Sequence, residues 1–373
     1  MPLPHPPLWM VLVAFVCALG PLVFFHELGH YLVARLFKVP AEVFSIGFGK
    51  ELFGWTDKQG TRWKLSVLPL GGYVKFVGDM NPASTPIEEE AIPEELRDRA
   101  FQFKPVWQRF LIVLAGPMAN FILAIIILTG FFTLAGAPFS NVVGTVQPNS
   151  AAAKAGLQPH DKILSVAGRT TSTFNDVRAV VMVRAGERVI VEVQRGNVVH
   201  PVAVTLQSTE IKDVFGRPFQ RGQLGIYPDT GVLQTLPIWQ AVPAALDVTW
   251  ANILQICDVL RLIVTGHLSP KVIGGPIAIA KVAGEAAALG PLTFVSLLAL
   301  LSINLGFINL LPVPMLDGGH LLSYLIEAVR RRPVSAQALD WAFRGGLALI
   351  LALLVFATFN DLGLWNQLER LIG

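Results

Sequence analysis

The sequence predicts a polytopic α-helical membrane protein with four transmembrane helices, a membrane re-entrant β-hairpin and one inserted extracytoplasmic domain of mixed α/β structure. Three observations carry that expectation. The 373 residues are 53% hydrophobic and only 15% charged, where soluble domains carry about 25% charged residues. The apolar residues gather in four stretches almost free of charge, and about 20 apolar residues suffice for a helix to cross a bilayer. Between those stretches the composition is ordinary and the patterning strand-like. Such a chain is neither a soluble enzyme, a disordered segment nor a disulfide scaffold, and a net charge of +3 gives no reason to expect a nucleic-acid partner. Cys17 and Cys257 are too far apart in sequence to suggest a disulfide framework or a Cys-type zinc site; two buried thiols are expected.

The first span is expected at 8–34, where an uncharged run from Leu8 to Phe25 leads directly into His-Glu-Leu-Gly-His. A cleaved signal peptide is the rival reading, but the leader MPLPHPPLWM holds no lysine or arginine, and cleavage would remove or expose that motif. The second span is expected at 107–135. The third, at 290–316, lies in a stretch uncharged from Ala286 to Leu316, and the fourth, at 339–361, has Arg344 near its start. Pro21, Gly116, Pro117 and Gly306 inside these runs are less disruptive in a membrane than in water. Lysine and arginine set the orientation. Arg35, Lys38, Lys50, Lys58, Arg62, Lys64 and Lys75 follow the first span, and Arg330, Arg331 and Arg332 precede the fourth; both segments are expected in the cytoplasm. The N- and C-termini and the long segment after the second span then lie outside.

Residues 44–78 alternate apolar and polar side chains around a turn at Asp57–Gly60 and are rich in glycine, which predicts a bent hairpin dipping into the membrane. Strand edges at that depth are tolerated only where they are buried in protein or line a cavity, so an edge here could pair with a visiting peptide. Residues 79–106, with the acidic run IEEEAIPEELRDR, read as a solvated cytoplasmic loop. In 141–236, NVVGTV, DKILSVAG, RVIVEVQRG and HPVAVTLQ read as short strands. SAAAKAGL reads as a helix closed by Gly156, and FNDVRAVVMVRAG as a helix with Asn175 or Asp176 near its start. This order, with the spacing A-G-L-x-x-x-D-x-I-L-x-V-x-G, resembles a PDZ domain of the permuted bacterial-protease type. Such a domain would bind an extended peptide or a substrate C-terminus by strand addition; a spacer that binds nothing is the alternative. The region 237–285 is amphipathic and interrupted by Asp247, Asp258 and Arg261, which predicts an interfacial helix on the outer, periplasmic face, with a re-entrant element as the alternative.

The chemistry centres on His26-Glu27-Leu28-Gly29-His30. Histidines four apart face one side of a helix and can ligate one zinc ion, with the glutamate beside it as general base. An ionisable cluster inside an apolar span is costly, so it marks function. Catalytic zinc takes a third protein ligand and keeps a position open for water. The charged residue best placed to supply that ligand is Asp317, in NLLPVPMLDGGH after the third span. Spans one and three run in the same direction, so Asp317 and the histidines lie at similar depth, near the cytoplasmic side, and Pro312 and Pro314 break the helix beside them. His320, three residues farther into the loop, is the rival ligand.

Together these residues make the chain resemble the intramembrane site-2 metalloproteases, of the bacterial RseP type (regulator of sigma-E protease). The likeness covers HELGH, the GFG and PLGGYVKF elements, Gly116 and Asn120 in GPMAN, the PDZ-like insert, GGPIAIA, and N-x-x-P-x-P-x-L-D-G from Asn309 to Gly318. It implies one zinc ion per chain on His26, His30 and Asp317, Glu27 as catalytic base, and Asn304 and Asn309 near the substrate backbone. It also implies a place in the bacterial inner membrane and a single-span substrate, such as an anti-sigma factor or a signal-peptide remnant, cut within the bilayer. The chain departs from the enterobacterial pattern in having room for one PDZ domain rather than two. Two other classes compete. A metal transporter would place metal-binding side chains along several spans, and spans two and four offer none; a catalytically silent PDZ membrane adaptor would carry a broken motif, and this one is complete.

Overall fold

The computed structural model describes residues 6–78, 97–136, 141–171, 174–182, 184–212, 218–229, 235–266, 270 and 274–362. Most of the acidic run in 79–106 lies outside them. The chain divides into two compact units, Met1–Leu128 with Ala245–Cys257 and Ile273–Gly373, and Thr129–Ala244 with Asp258–Val272.

Four helices are long and apolar enough to cross a membrane: Leu8–Leu36, Val106–Leu134, Pro291–Leu310 and Gln337–Asp361. Leu8–Leu36 is α1 and Val106–Leu134 is α2. Pro291–Leu310, here α7, ends well short of the expected residue 316. Pro312 and Pro314 cannot continue a helix, so Leu311–Leu316 forms a bent connection in which Met315 adopts φ 79°. Asp317 therefore opens the next helix, α8 (Asp317–Arg330), and does not close the third span. The last helix, α9 (Ala336–Asp361), begins ahead of the expected residue 339 because Ser335 caps it, its Oγ accepting from the Ala338 N–H. Only 11% of the most apolar stretch of this last helix is buried within the protein. Exposed Leu349, Leu351, Leu353 and Leu354 therefore need an apolar surrounding that the described residues do not supply.

The region 237–285 is not a single helix. It forms α5 (Ile238–Val264) and a second helix, α6 (Pro276–Leu289). Within the first unit α6 packs on α1 through Ala14, Ala18 and Ala283, and a Cβ at Gly284 would lie 2.7 Å from Val11 Cγ2. Small residues let two backbones come close in this way. Both cysteines are exposed on the protein surface, not buried.

The expected hairpin is a more folded object. Its strands are β1 (Ala41–Thr56) and β2 (Arg62–Phe76), starting before residue 44. Val43 faces both Lys75 and Arg62, Phe44 both Val74 and Trp63, and Ile46 both Gly72 and Leu65. Glu51 to Thr56 pair with Ser66 back to Arg62. Two long strands thus bend, with Gly47 and Gly49 at positive φ, into four segments ordered 72–76, 43–46, 62–66 and 51–56. The turn is held by the Asp57 carboxylate, which accepts from the Gln59 N–H at 2.8 Å, the Thr61 N–H at 3.0 Å and Trp63 Nε1 at 3.0 Å.

In the second unit β4 (Lys162–Val166), β5 (Arg169–Thr170), β6 (Arg188–Arg195) and β7 (Val198–Thr205) form one sheet in the order β5-β4-β6-β7. A separate pair joins β3 (Val143–Val146) to β10 (Ile226–Pro228), and β8 (Gln207–Lys212) pairs with β9 (Pro218–Gln223). The core alternates as a half-buried strand should, with Val189, Val191 and Val193 inward. Helix α3 (Ala151–Ala155) is capped by Ser150 and ended by Gly156 at φ 81°; α4 is Phe174–Met182. Asp161, fully buried, receives Arg195 through Nε at 2.7 Å and Nη2 at 2.8 Å.

Candidate metal centre

Helix α1 carries His26, Glu27 and His30, each about 8% exposed. The i, i+4 spacing turns both imidazoles to one side, and their Nε2 atoms lie 3.3 Å apart. The connection after α7 and the first turn of α8 bring Asp317 to them. Its Oδ2 is 3.1 Å from His26 Nε2 and 3.5 Å from His30 Nε2. A Cβ at Gly318 would lie 2.1 Å from the Leu311 carbonyl oxygen, so this approach requires glycine after the aspartate. Among the described residues, His26, His30 and Asp317 are the group whose ligand atoms all fall within 4.8 Å of one another. His320 is not part of it; its ring is directed to Tyr324, with ring centroids 6.5 Å apart.

Helix α2 backs the two histidines. His30 Nδ1 donates to the Ile112 carbonyl at 2.9 Å; since a carbonyl only accepts, the neutral ring keeps a lone pair on Nε2. Asn120, fully buried, meets His26 Nδ1 at 3.0 Å through its amide. One turn away, Gly116 leaves room for the His30 ring. Helix α7 closes the other side of Asn120, whose main-chain carbonyl accepts from Ser302 Oγ at 2.7 Å. On the sheet side, a Cβ at Gly72 would lie 3.1 Å from Glu27 Cγ, which sets the edge segment 72–76 beside the glutamate.

The donor set suits zinc. Two imidazole nitrogens and one carboxylate oxygen are ligands of the type and number found in catalytic zinc sites. Asp317 Oδ2 is buried and meets no polar group beyond the two imidazoles, an arrangement that costs free energy unless something else satisfies the carboxylate. A cation among the three atoms removes that penalty.

Asn304 and Asn309 are both half-buried on α7 and contribute no atom to this group. Five residues apart, they point about 140° away from each other around the helix. Sequence reasoning named Gly116 and Asn120 without assigning them a task. Their i, i+4 spacing, which puts them on one face of α2, was the available signal. The Ile112 carbonyl had none, because every residue carries one.

An H-E-x-x-H helix, a convergent aspartate and four membrane-length helices define a zinc metalloprotease built into a membrane. The family follows from the sequence as a whole: residues 14–353 match Peptidase family M50, and the chain belongs to that family, the site-2 proteases. Similar full-length relatives agree. A protein of Rhizobium meliloti strain 1021 named a zinc metalloprotease is 43% identical over 355 residues, covering 93% of this chain and 95% of its own. Another from Agrobacterium fabrum is 42% identical over 97% of this chain and 96% of its own. The metalloprotease MmpA of Caulobacter vibrioides is 39% identical over 98% of both. The enzyme is accordingly a zinc-dependent peptidase.

Proposed function

We propose that this peptidase performs site-2 cleavage, cutting single-span membrane proteins within the bilayer after their outer domains have been trimmed; anti-sigma factors and signal-peptide remnants are the expected substrates. The observation that carries the reading is the meeting of Asp317 with His26 and His30, which stand with Glu27 on a helix long and apolar enough to span a membrane. A site on such a helix is within reach of substrates that share the bilayer. Charge placement supports an inner-membrane orientation with the site near the cytoplasmic face and both termini outside.

His26, His30 and Asp317 would hold the metal. Zinc bound there supplies Lewis acidity to the attacking water and the scissile carbonyl. Glu27 takes the proton from the water and returns it to the leaving amine. Asn309 donates to the developing oxyanion, and Asn304 steadies the substrate main chain. A transmembrane substrate must unwind to offer its carbonyl, and a strand edge replaces the hydrogen bonds it gives up. The edge segment 72–76 is suited to that task because it borders Glu27, and the sheet of β1 and β2 would then sit at membrane depth. In the second unit, β10 pairs with β3 alone among the described residues; its open edge, in the PDZ-like arrangement, would take a trimmed substrate C-terminus.

The test is a membrane-embedded reporter cleaved by purified protein. Glu27→Gln should keep zinc at wild-type stoichiometry and lose cleavage; undiminished cleavage by that variant rules the assignment out.

A further inference from the structure

The two histidines are supported differently. The partner of His30 is a main-chain carbonyl, which fixes one tautomer. The partner of His26 is a carboxamide, and Asn120 Oδ1 is buried without a hydrogen-bond partner while its amide nitrogen faces His26 Nδ1 at 3.0 Å. With the N–H toward the ring, Nδ1 accepts, and a neutral imidazole carries its proton on Nε2, the atom that faces Asp317. Nε2 cannot ligate a metal in that tautomer. A half-turn of the amide about Cβ–Cγ exchanges its oxygen for its nitrogen. Oδ1 then accepts from Nδ1–H and leaves the Nε2 lone pair free.

We infer that Asn120 is a positioning residue that selects the metal-binding tautomer of His26 by presenting Oδ1 to the Nδ1–H. The burial of Asn120, between α1 and the Ser302 contact from α7, excludes water as a substitute partner. This inference rests on His26 being a zinc ligand.

The experiment measures zinc affinity of the full-length protein in detergent by competition with a chelator, together with the visible absorption of the cobalt-substituted form. Asn120→Ala removes the acceptor and should weaken zinc binding 10–100-fold, the usual effect of losing such a partner, and alter the cobalt spectrum. Asn120→Asp can only accept, so it should hold zinc at least as tightly as wild type. Ser302→Ala removes the neighbouring contact but leaves the amide, and should keep wild-type affinity. Wild-type affinity in Asn120→Ala, or a loss in Asn120→Asp equal to that in Asn120→Ala, overturns the inference. Should Asn120→Ala fail to fold, Asn120→Asp decides alone, since weakened binding there leaves only a packing role. His26→Ala separates the two readings, because retained zinc in that variant defeats the ligand assignment whatever Asn120 does.

Discussion

Gly116 lies directly against His30: a Cβ at residue 116 would sit 2.2 Å from Nε2, the atom directed at the metal group. Helix α2 therefore reaches α1 at a place where a methyl group would displace a ligand. Close by, a Cβ at Gly29 would lie 2.3 Å from the Ala115 carbonyl oxygen, so the two helices cross through a pair of glycines.

Gly116→Ala should thus act against helix propensity. Alanine favours a helix interior over glycine by about 1 kcal/mol, yet overpacking costs roughly 1–3 kcal/mol, and here the strain falls on His30. Zinc content measured by atomic absorption should drop with little loss of helicity by circular dichroism. Full zinc occupancy would show that the ring has another place to go.

Asp317→Asn keeps the shape and removes the charge. Zinc should stabilise the wild-type protein against heat, as any ligand specific to the folded state does, by about 2.7 kcal/mol at a hundredfold excess over Kd. The variant should show no such rise. Parallel melting curves with and without zinc read the difference.

Acid should loosen the second unit. Burial pushes the Asp161 carboxyl up, and the hydrogen bonds from Arg195 and the Gln158 N–H outweigh it, holding the group below the ordinary carboxylate value. The folded pKa is the lower one, so the stabilisation is complete above about 3.9, the unfolded value. It is lost as pH falls from there through the folded pKa. Amide exchange of β4 and β6 in the intact protein should quicken across that window, and Arg195→Ala should quicken it at neutral pH as well.

Asp361, at the end of α9, accepts from the Gly275 N–H at 2.9 Å and the Ala278 N–H at 2.9 Å. It thereby caps α6 from a distant part of the chain. Asp361→Ala should cost about 1–2 kcal/mol, as loss of a helix cap does, and appear as faster exchange confined to α6. Asp361→Asn, which keeps one acceptor, should fall between.

The face shared by His26 and His30 was legible because four residues make about one helical turn, and Asp317 because it is the charged residue that directly follows the uncharged third stretch. Other features were not. Alternation identified strand in 44–78 but gave no sign that Val43 to Ile46 find partners on both sides, since that depends on the bends at Gly47 and Gly49. The end of α7 was foreshadowed by Pro312 and Pro314, yet the return of Asp317 at the head of a new helix depends on Gly318 packing against Leu311. In 237–285, hydropathy gave no sign of the break between α5 and α6, or that the alanines and Gly284 of α6 are small because α1 packs against them.

One helix, α2, supplies the Ile112 carbonyl, the Asn120 amide and the space at Gly116. Metal retention and the α1–α2 crossing are consequently a single variable. Rotating α2 by one residue would take both imidazole partners away together, so whatever pries these helices apart, whether a misfitting bilayer or a substrate forced between them, should register as zinc release. The cofactor doubles as a gauge of how tightly the membrane core is closed.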